Sequence, residues 1–556
     1  MAEKDWFEQY DLVVVGTGAG ALVSAIVAAK KGLKTLVIEK GSTWGGSSAL
    51  SGGGVWIPNN PVCKKAGLKD SKEEAMTYFE HVVGDVGPAS SRERRLAFLE
   101  NGPKMVQMLL DEGMRFIPGM DYPDYYPDKP GGKIGRTFDC YPFNRKLLGD
   151  LGKSLRKGDI EPPFPINAGG VHNLPKMFVK KKHLVGALKM AGRGYGLKLR
   201  GQDPLGLGAA LVGHLMYIAK GYNVELWLNT PCTNIFVEET KVTGIEVKRN
   251  GKKLNIRTNH IILGAGGFDY NKEMRQKYHG IGTDWAVGNP DNTGDLHTIC
   301  ENLDADMAIM DDAWWGAGAI DHNKARKFFV YERSMPHSII VDQLGNRYLN
   351  ESESYNDLGQ HMFQQNKKTG EKAIPSWLIL DTTYTNRYMF GMAMPKRMPK
   401  EYLESGYLIK ADTLEELAKK CHIHKDNLLQ TVEKFNSFVD KGIDEDFGRG
   451  NTAYDNYYGD PNYKNPNLGK LQKGPYYAVK IYPADLGTKG GMLTDEYARV
   501  IKKDGSIING LYAIGNCSAS VMGYKYPGPG ATLGPATTFG YIAANHVVAS
   551  KESVVV

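Results

Sequence analysis

The sequence lacks any apolar run of membrane-spanning length and any apolar leader at its start. A spanning helix needs about 18 or more consecutive apolar residues. Met1 to Tyr10 carries Glu3, Asp5 and Glu8 in place of the basic and apolar segments of a secretory signal. We therefore expect a chain that does not cross a bilayer and that works in the cytoplasm.

Cysteine is also scarce, with 6 residues in 556 and no CxxC pair. Scattered cysteines in so long a chain favour reduced, buried thiols over a disulfide framework or a zinc knuckle. Cys421, His422 and His424 are the only close Cys/His group, and no further ligands follow at a metal-binding spacing. The sequence predicts a helix end and a loop there, and no metal site.

Acidic residues are missing from one stretch. Eight basic residues and no acidic one lie between Lys176 and Arg200, which is enough to account for the whole net charge of +7. The basicity is therefore local, and it does not predict a nucleic-acid partner. The composition, 42% apolar and 24% charged, is that of an ordinary globular protein long enough for two or three domains.

Three short apolar stretches run directly into glycines. They are residues 11–15, 260–263 and 510–514, followed by Gly16, Gly264 and Gly515. After the first, residues 22–29 form an apolar helical stretch and residues 36–38 a second strand. A strand, a glycine turn, a helix and a strand within about thirty residues open a doubly wound sheet.

The positions of these strand ends predict an α/β (α+β) fold class. A Rossmann-like dinucleotide-binding domain uses both chain ends, residues 1–303 and 478–556, and a second domain is inserted at 304–477. Within the insertion, residues 414–418 and 427–438 are predicted to be helical. Residues 454–471, rich in Asn, Pro, Gly and Tyr, are predicted to form a loop.

The first glycine turn, GTGAGA at residues 16–21, matches the pattern G-x-G-x-x-G/A. It follows a strand and opens a helix, and Glu39 ends the next strand, where its carboxylate can accept from ribose hydroxyls. The motif alone is weak, but in this setting it predicts a dinucleotide site.

The residues after Glu39 favour FAD over NAD. Gly45 to Ser48 and Ser51 to Gly54 offer N–H groups and hydroxyls that can wrap the pyrophosphate and the dimethylbenzene side of a flavin. With AGG at 265–267 and GN at 515–516, this segment resembles the flavoprotein superfamily of succinate dehydrogenases and fumarate reductases. The expected cofactor-binding residues are Gly16, Gly18, Ala19, Gly20, Glu39, Lys40, Gly46, Ser47, Ser48, Ser51, Gly52, Gly53, Ala265, Gly266, Gly267, Asn516 and Leu533.

The resemblance also bears on how FAD is held. Covalent attachment in membrane succinate dehydrogenases uses a histidine near the SGG segment, and none lies between Gly41 and Asp70. The resemblance therefore implies non-covalent FAD.

Tyrosines occupy the places where substrate contacts are expected. A dicarboxylate substrate needs a cage of Arg and His, which we cannot assemble from this sequence. The chain has instead YPDYYPDKPGG at 122–132, NESESYNDLG at 350–359 and GYKYPGPG at 523–530. Neutral hydroxyls and aromatic faces suit a neutral ketone with an apolar body.

These motifs, with DLGTKGGMLTD at 485–495 and YPGPGATLGPA at 526–536, resemble the 3-ketosteroid Δ1-dehydrogenases over most of the chain. The resemblance implies an oxidoreductase that desaturates the 1,2 bond of an androstenone-type steroid or of cholest-4-en-3-one, in steroid or sterol degradation, with an external electron acceptor. Carried over by motif, the catalytic residues are Tyr125, Tyr355, Tyr526 and Gly530.

The family roles agree with the chemistry. A hydride leaves C1 only if C2 loses a proton, and C2 is acidified when the C3 carbonyl is polarised. The Tyr526 hydroxyl and the Gly530 N–H are expected to form the oxyanion hole, since the two prolines of YPGPG have no N–H. Tyr355 is expected to accept the proton, with Tyr125 as the hydrogen-bond donor that its phenolate requires.

The sequence departs from smaller family members by a basic insertion at about 165–205. Leu184, Val185 and Leu188 share a helical face beside the lysines. One interpretation is a peripheral contact of Lys176 to Arg200 with anionic lipid on the inner face of the cell membrane, through which a poorly soluble sterone arrives. The other is a solvated basic loop whose apolar residues pack on the body.

Three alternatives to the Δ1 reaction stay open at this point. The first two are a fumarate-reductase-like enzyme and a flavoenzyme that acts at the 4,5 bond, a Δ4-(5α) ketosteroid dehydrogenase. The third is a non-catalytic, flavin-containing lipid carrier, for which the three tyrosine motifs have no explanation.

Overall fold

Two sheets organise the fold in the computed structural model, which describes residues 5–158, 164–167, 170 and 173–552. The larger is a ten-stranded sheet of the described residues, to which both ends of the chain contribute. Its strands run in the spatial order Glu8–Gln9, Lys252–Arg257, Lys241–Arg249, Ile507–Ala513, Ile261–Leu263, Leu12–Val15, Thr35–Ile38 and Glu225–Trp227, with Cys232–Glu238 and Arg499–Ile501 alongside.

The centre of this sheet is parallel. Leu12–Val15 lies between Thr35–Ile38 and Ile261–Leu263, and Ile261–Leu263 pairs in turn with Ile507–Ala513. The first of these strands is buried at every residue, as expected for a parallel strand that is covered on both faces. The carboxyl ends of these strands share one edge, so the glycines after them lie together. The predicted α/β fold, with its dinucleotide-binding sheet drawn from both chain ends, is confirmed.

Helices cover this sheet and extend through the second domain. Ala19–Lys30 packs against Leu533–Glu552 and Leu207–Gly221. The other α-helices are Gly46–Leu50, Pro61–Lys65, Lys72–Val82, Arg92–Asp111, Lys181–Leu199, Lys272–His279, Asp295–Glu301, Tyr355–Lys368, Thr382–Arg387, Lys400–Glu404, Leu414–Cys421, Lys425–Lys441 and Ala453–Tyr458.

The second sheet belongs to the inserted segment and is antiparallel. Its strands follow the order Arg326–Phe329, Ala313–Ile320, Tyr476–Thr488, Ser376–Leu380 and Ser338–Val341, with Ile409–Ala411 beside Tyr476–Thr488. The sequence places the end of the insertion at residue 477, but the sheet continues to Thr488. The strand Tyr476–Thr488 continues because it is hydrogen-bonded to neighbouring strands on both sides.

Small strand pairs complete the secondary structure. They are Val55–Trp56 and Phe116–Pro118 on either side of Thr137–Cys140, Phe143–Asn144 with Pro204–Leu205, and Met307–Ala308 with Gly491–Met492.

The helices expected at 414–418 and 427–438 are present and longer than the sequence predicts. The first begins after Thr413, whose side chain accepts from the Glu416 N–H, and the second after His424, whose ring accepts from the Asn427 N–H. Cys421 and His424 thus mark helix ends, as expected. All six cysteines are buried and free.

The expectation of a loop over 454–471 is wrong at its start, where the helix Ala453–Tyr458 forms. Thr452 caps this helix by accepting from the Asp455 N–H. Tyr454 and Tyr458 are buried, so packing of the tyrosines overrides the local Asn and Gly signal.

The basic segment is helical over Lys181–Leu199, while residues 168, 169, 171 and 172 of the expected insertion lie outside the described residues. Leu184, Leu188 and Leu199 are exposed on this helix. Lys176 is not part of the exposed basic rim. It is buried, its Nζ donates to the Tyr457 carbonyl at 2.6 Å, and burial lowers its pKa to about 8. Within the described residues, no helix is both long and apolar enough to span a bilayer.

Candidate active site

A cavity of about 460 Å³ extends from the strand ends of the large sheet to the tyrosines of the inserted segment. Every cofactor-binding and catalytic residue expected from the sequence lines it. The glycine turns and the tyrosine motifs, which are far apart in the chain, therefore face one continuous space.

Two glycines of the first turn are required by close backbone contact. Gly16 has φ +102°, and a Cβ there would lie 2.4 Å from the Gly264 carbonyl oxygen. A Cβ on Gly20 would lie 2.4 Å from the Ala536 carbonyl oxygen. Only glycine lets the first turn meet the neighbouring strand end and the C-terminal helix.

Glu39 and Lys40 follow the strand Thr35–Ile38 and line the cavity. The Glu39 carboxylate is buried and accepts from the Thr17 hydroxyl at 2.5 Å and from the Gly41 N–H at 3.0 Å. Burial raises its pKa, and its remaining lone pairs can accept from sugar hydroxyls. Lys40 lines the cavity, but its ammonium group pairs with Asp295 at 2.8 Å.

The two serines of GGSS stabilise the cavity wall. Ser48 Oγ accepts from the N–H of Ala19 at 3.0 Å, at the start of the first helix. Ser47 Oγ accepts from the Asn289 N–H and from Asn292 Nδ2, both at 3.0 Å. These serines fix the loops around the helix N-terminus, where a pyrophosphate binds in dinucleotide folds.

Sequence reasoning missed the segment that carries Asn289 and Asn292. Its glycine-rich, polar sequence GNPDNTGD at 288–295 was the signal that could have revealed it. Further lining residues that were missed are Thr17, Thr230, His297, Phe328, Val330, Tyr458, Leu486, Cys517 and Thr532. The lining contains no arginine among the described residues, so the cage that a dicarboxylate needs is not assembled here.

Three phenol rings meet at the far end of the cavity. The Tyr125 and Tyr355 rings have centroids 5.0 Å apart, and each lies 5.1–5.2 Å from Tyr526. The Tyr125 hydroxyl donates to the Tyr355 hydroxyl at 2.6 Å. All three side chains are buried, so any charge that forms on them is poorly screened by water.

A buried ion network positions Tyr125. Its neighbour Asp124 accepts from Arg136 Nη1 at 2.8 Å, and Arg136 also forms a two-point pair with Asp70. Asp124 accepts from the Trp56 indole N–H at 2.7 Å. The Tyr125 N–H donates to the Pro527 carbonyl at 2.9 Å, which joins the DYY and YPGPG motifs directly.

Tyr355 is the first residue of the helix Tyr355–Lys368. The Phe328 ring packs edge-on against it, with a centroid distance of 5.2 Å. Gly359, one turn on, lies against Trp315, where a Cβ would approach the Trp315 Cβ to 2.5 Å. The N-terminal end of this helix is therefore fixed against the second sheet.

Gly530 has φ +98°, and a Cβ there would lie 2.2 Å from the Gly54 carbonyl oxygen. Its carbonyl accepts from the Trp56 N–H at 3.3 Å. The Gly530 N–H contacts the Tyr526 hydroxyl, and this contact acts to lower the pKa of that phenol. The Gly530 N–H and the Tyr526 hydroxyl therefore lie together in the lining of the cavity.

Burial raises the pKa of Tyr125, Tyr355 and Tyr526. The hydrogen bond from Tyr125 acts in the opposite direction on Tyr355 and lowers its pKa. Burial has the larger effect, so this hydrogen bond alone does not make Tyr355 a strong base at neutral pH.

Comparisons with known proteins agree with this geometry. Residues 11–533 match the family described as FAD binding domain. The chain is 44% identical to 3-oxosteroid 1-dehydrogenase of Mycolicibacterium smegmatis, over 98% of both chains. It is 34% identical to 3-oxosteroid 1-dehydrogenase of Comamonas testosteroni, over 97% of both.

A solved structure, 3-ketosteroid delta1-dehydrogenase from Sterolibacterium denitrificans in complex with 1,4-androstadiene-3,17-dione, matches with a TM-score of 0.92 and 38% identity. The match covers 98% of this chain and 100% of that one. The glycine turns, the serine-lined cavity wall and the helix N-terminus fit a dinucleotide, and FAD is the cofactor. The chain belongs to the FAD binding domain family and, within it, to the 3-oxosteroid 1-dehydrogenases.

Proposed function

We propose that this protein is an FAD-dependent 3-oxosteroid 1-dehydrogenase that introduces the 1,2 double bond into a 3-ketosteroid. The observation that carries the proposal is the group of three phenols and the Gly530 N–H at one end of the FAD cavity. Neutral donors of this kind suit a ketone, and the aromatic walls suit the steroid body.

The C3 carbonyl binds between the Tyr526 hydroxyl and the Gly530 N–H. Both donors belong to a loop that the Tyr125 N–H and the Thr137 hydroxyl hold through the carbonyls of Pro527 and Pro529, at 2.9 and 2.7 Å. Donors fixed before the reaction stabilise the enolate oxygen without a cost for reorganisation. This polarisation makes the C2 proton acidic.

Tyr355 accepts the C2 proton, and the hydrogen bond from Tyr125 stabilises the phenolate that does so. When bound, FAD supplies the acceptor, flavin N5, for the hydride that leaves C1. The aromatic walls exclude water, so the proton and the hydride leave to these two acceptors alone. An external electron acceptor completes the turnover.

An anaerobic titration tests the reaction. Purified protein is mixed with cholest-4-en-3-one, or with androst-4-ene-3,17-dione as a short-chain substrate, and visible flavin absorbance is followed. We expect bleaching and a 1,4-dien-3-one product, identified by mass and NMR. A saturated 5α-3-ketosteroid separates Δ1 from Δ4 products. No bleaching with any of these steroids would overturn the proposal.

FAD is held without a covalent bond. Acid precipitation is expected to release all the yellow colour into the supernatant, because no histidine lies between Gly41 and Asp70. A yellow pellet would contradict this expectation.

We also propose that the helix Lys181–Leu199 contacts an anionic membrane surface. Leu184, Leu188, Tyr195 and Leu199 are 40–89% exposed and share one helical face. Lysines flank this face, and the opposite face packs on the body through residues such as Ala187 and Met190. An apolar strip between cations is what an interfacial helix presents to acidic lipid.

Vesicle flotation tests this contact. Binding to phosphatidylcholine vesicles that contain phosphatidylglycerol is expected to fall strongly in the Leu184→Ser, Leu188→Ser double variant. Ile443→Ser, which changes an apolar side chain 56% exposed elsewhere, is the control and should bind like wild type. Equal flotation of the double variant and the control would defeat the proposal.

A further inference from the structure

Arg333 is a buried cation close to the phenol cluster, and the mechanism above does not use it. Its side chain has no exposed surface. Nη1 donates to the carbonyls of Glu351 and Glu353, and the guanidinium also contacts the Tyr454 hydroxyl. A buried guanidinium is costly unless a charge compensates it.

Three other buried cations near the site are compensated by carboxylates. Arg449 pairs with Glu351 at 3.1 Å, Lys489 with Asp312 at 2.7 Å, and Arg136 with Asp70 and Asp124. Arg333 forms no such pair with a described carboxylate. A cation buried in this way favours the formation of a negative charge nearby.

Arg333 faces the phenols through the helix Ala453–Tyr458. Tyr454 is buried, and its hydroxyl contacts the Arg333 side chain. The Arg333 guanidinium lies near enough to oppose the rise that burial causes in the pKa of Tyr454 and of Tyr458. The Tyr454 ring packs against Tyr125 at 4.7 Å, and the Tyr458 hydroxyl bonds to that of Tyr122 at 2.9 Å.

The same guanidinium also holds the backbone that leads into Tyr355. Glu351 and Glu353, whose carbonyls accept from Nη1, lie in the turn before the helix Tyr355–Lys368. Arg333 thus touches the chain two residues before the proposed base and faces the aromatic group that packs on its donor.

The acidic groups around Arg333 do not cancel its charge at neutral pH and below. Arg333 acts electrostatically on the carboxyl groups of Glu332 and Glu353, and burial raises the pKa of each to about 7. Glu353 is in turn paired with His361 at 2.7 Å. Below pH 7 these groups are largely protonated, so the positive charge persists beside the phenols.

We infer that Arg333 is a positioning residue of the desaturation: it holds the turn that leads into Tyr355 and, across Tyr454, stabilises the negative charge on the Tyr125–Tyr355 pair. This negative charge is that of the phenolate that forms when the base is ready to act. This inference rests on the proposed function and adds the source of the electrostatic stabilisation that the hydrogen bond from Tyr125 does not supply alone.

The test is the pH dependence of kcat in the FAD-loaded protein with saturating androst-4-ene-3,17-dione. In the profile of kcat against pH, Arg333→Gln is expected to shift the rising limb to higher pH by about one unit. The shift lowers kcat about tenfold at pH 7 with little change in KM. Arg333→Lys keeps the charge and is expected to restore the limb. An Arg333→Gln protein with full flavin content and an unmoved limb would overturn the inference.

Arg449→Gln is the matched control. Arg449 is equally buried and contacts the same Glu351, but its charge is paired. The Arg449→Gln variant should have a lower Tm, but the rising limb of its kcat profile should stay at the wild-type pH. If Arg333→Gln does not retain FAD, Glu353→Gln provides the opposite test: removal of a nearby carboxylate should move the limb to lower pH, and an unmoved limb would again contradict the inference.

A spectroscopic readout separates this inference from the proposed function. Tyrosinate absorbance of the FAD-loaded protein, followed with pH, reports phenol ionisation without turnover. Arg333→Gln should raise the midpoint of the first tyrosine to ionise, and an identical midpoint in wild type would overturn the inference. A wild type that converts no 3-ketosteroid would overturn the proposed function whatever this titration gives.

Discussion

The two ends of the cavity are built from different kinds of atoms. At the strand ends the wall is largely backbone, and Gly16 and Gly20 leave no space for a Cβ. At the other end the wall consists of side chains. Tyr125 and Tyr355, whose hydroxyls are hydrogen-bonded to each other, are 230 residues apart in the sequence. One end depends on a local motif, and the other depends on the assembly of the whole fold.

This difference predicts two kinds of sensitivity. Where backbone meets backbone, an added methyl group must displace a strand end, and the cofactor site is lost. Where phenols meet, removal of a hydroxyl keeps the packing and removes only the chemistry. Substitutions at the two ends should therefore separate flavin retention from turnover.

The largest expected effect is at the backbone end. Gly16→Ala places a Cβ 2.4 Å from the Gly264 carbonyl at φ +102°, so the variant should purify without flavin. Gly32→Ala is the control, since Gly32 also has positive φ, +82°, but no atom within 4 Å of its added Cβ. It should remain yellow with a slightly lower Tm. A Gly16→Ala protein with the wild-type ratio of flavin to protein would show that the cofactor site does not depend on this close backbone contact.

Next in size is the loss of the proposed base. Tyr355→Phe should lower kcat about 10³-fold while the flavin content stays unchanged, because the ring still packs on Phe328. Stopped-flow bleaching measures the rate. Tyr512→Phe, a buried tyrosine of the large sheet, should turn over like wild type. Loss of flavin in Tyr355→Phe would show that the two ends are not separable.

Tyr125→Phe should have a smaller effect, a drop in kcat of about 10- to 100-fold, because it removes a donor and not the base. In the double variant with Tyr355→Phe, kcat should fall no further than in Tyr355→Phe alone, since the two hydroxyls act as one unit. Additive losses in steady-state rates would mean that Tyr125 acts on a different step.

The smallest effect concerns stability beside the tyrosine end. Burial lowers the pKa of Lys176 to about 8, below that of a lysine in the unfolded chain, so the folded state holds fewer protons between these values. Wild type should therefore gain stability relative to Lys176→Met as pH rises from 8 towards 10.5, by about 3 kcal/mol, with the full penalty present below pH 8. Urea unfolding at pH 7 and 10 measures the difference. A difference independent of pH would mean that the pKa of Lys176 is the same in the folded and unfolded chain.

How much the sequence predicted follows the same division. Gly16, Glu39, Gly264 and Gly515 identify the dinucleotide sheet because each directly follows a strand, and this signal is local. The helix Ala453–Tyr458 was missed because its formation depends on burial of its tyrosines against Tyr122 and Tyr125, which no local pattern records.

The burial of individual side chains was the property hardest to predict from the sequence. Lys176 belongs to a basic run by sequence, yet it bonds to a carbonyl 281 positions away. Arg333 likewise belongs to no sequence motif. Its surroundings form only when the turn before Tyr355 packs near the helix Ala453–Tyr458 in the folded chain.

Gly530 connects the two ends of the cavity. Its Cα packs on the Gly54 carbonyl and its own carbonyl accepts from Trp56, so the loop that carries the proposed oxyanion donor rests on the segment expected to wrap the flavin. Cofactor and steroid are then heterotropic ligands with a favourable, negative coupling free energy. Because such coupling is reciprocal, a ketosteroid bound at the phenols should tighten FAD binding by the same factor by which FAD tightens steroid binding.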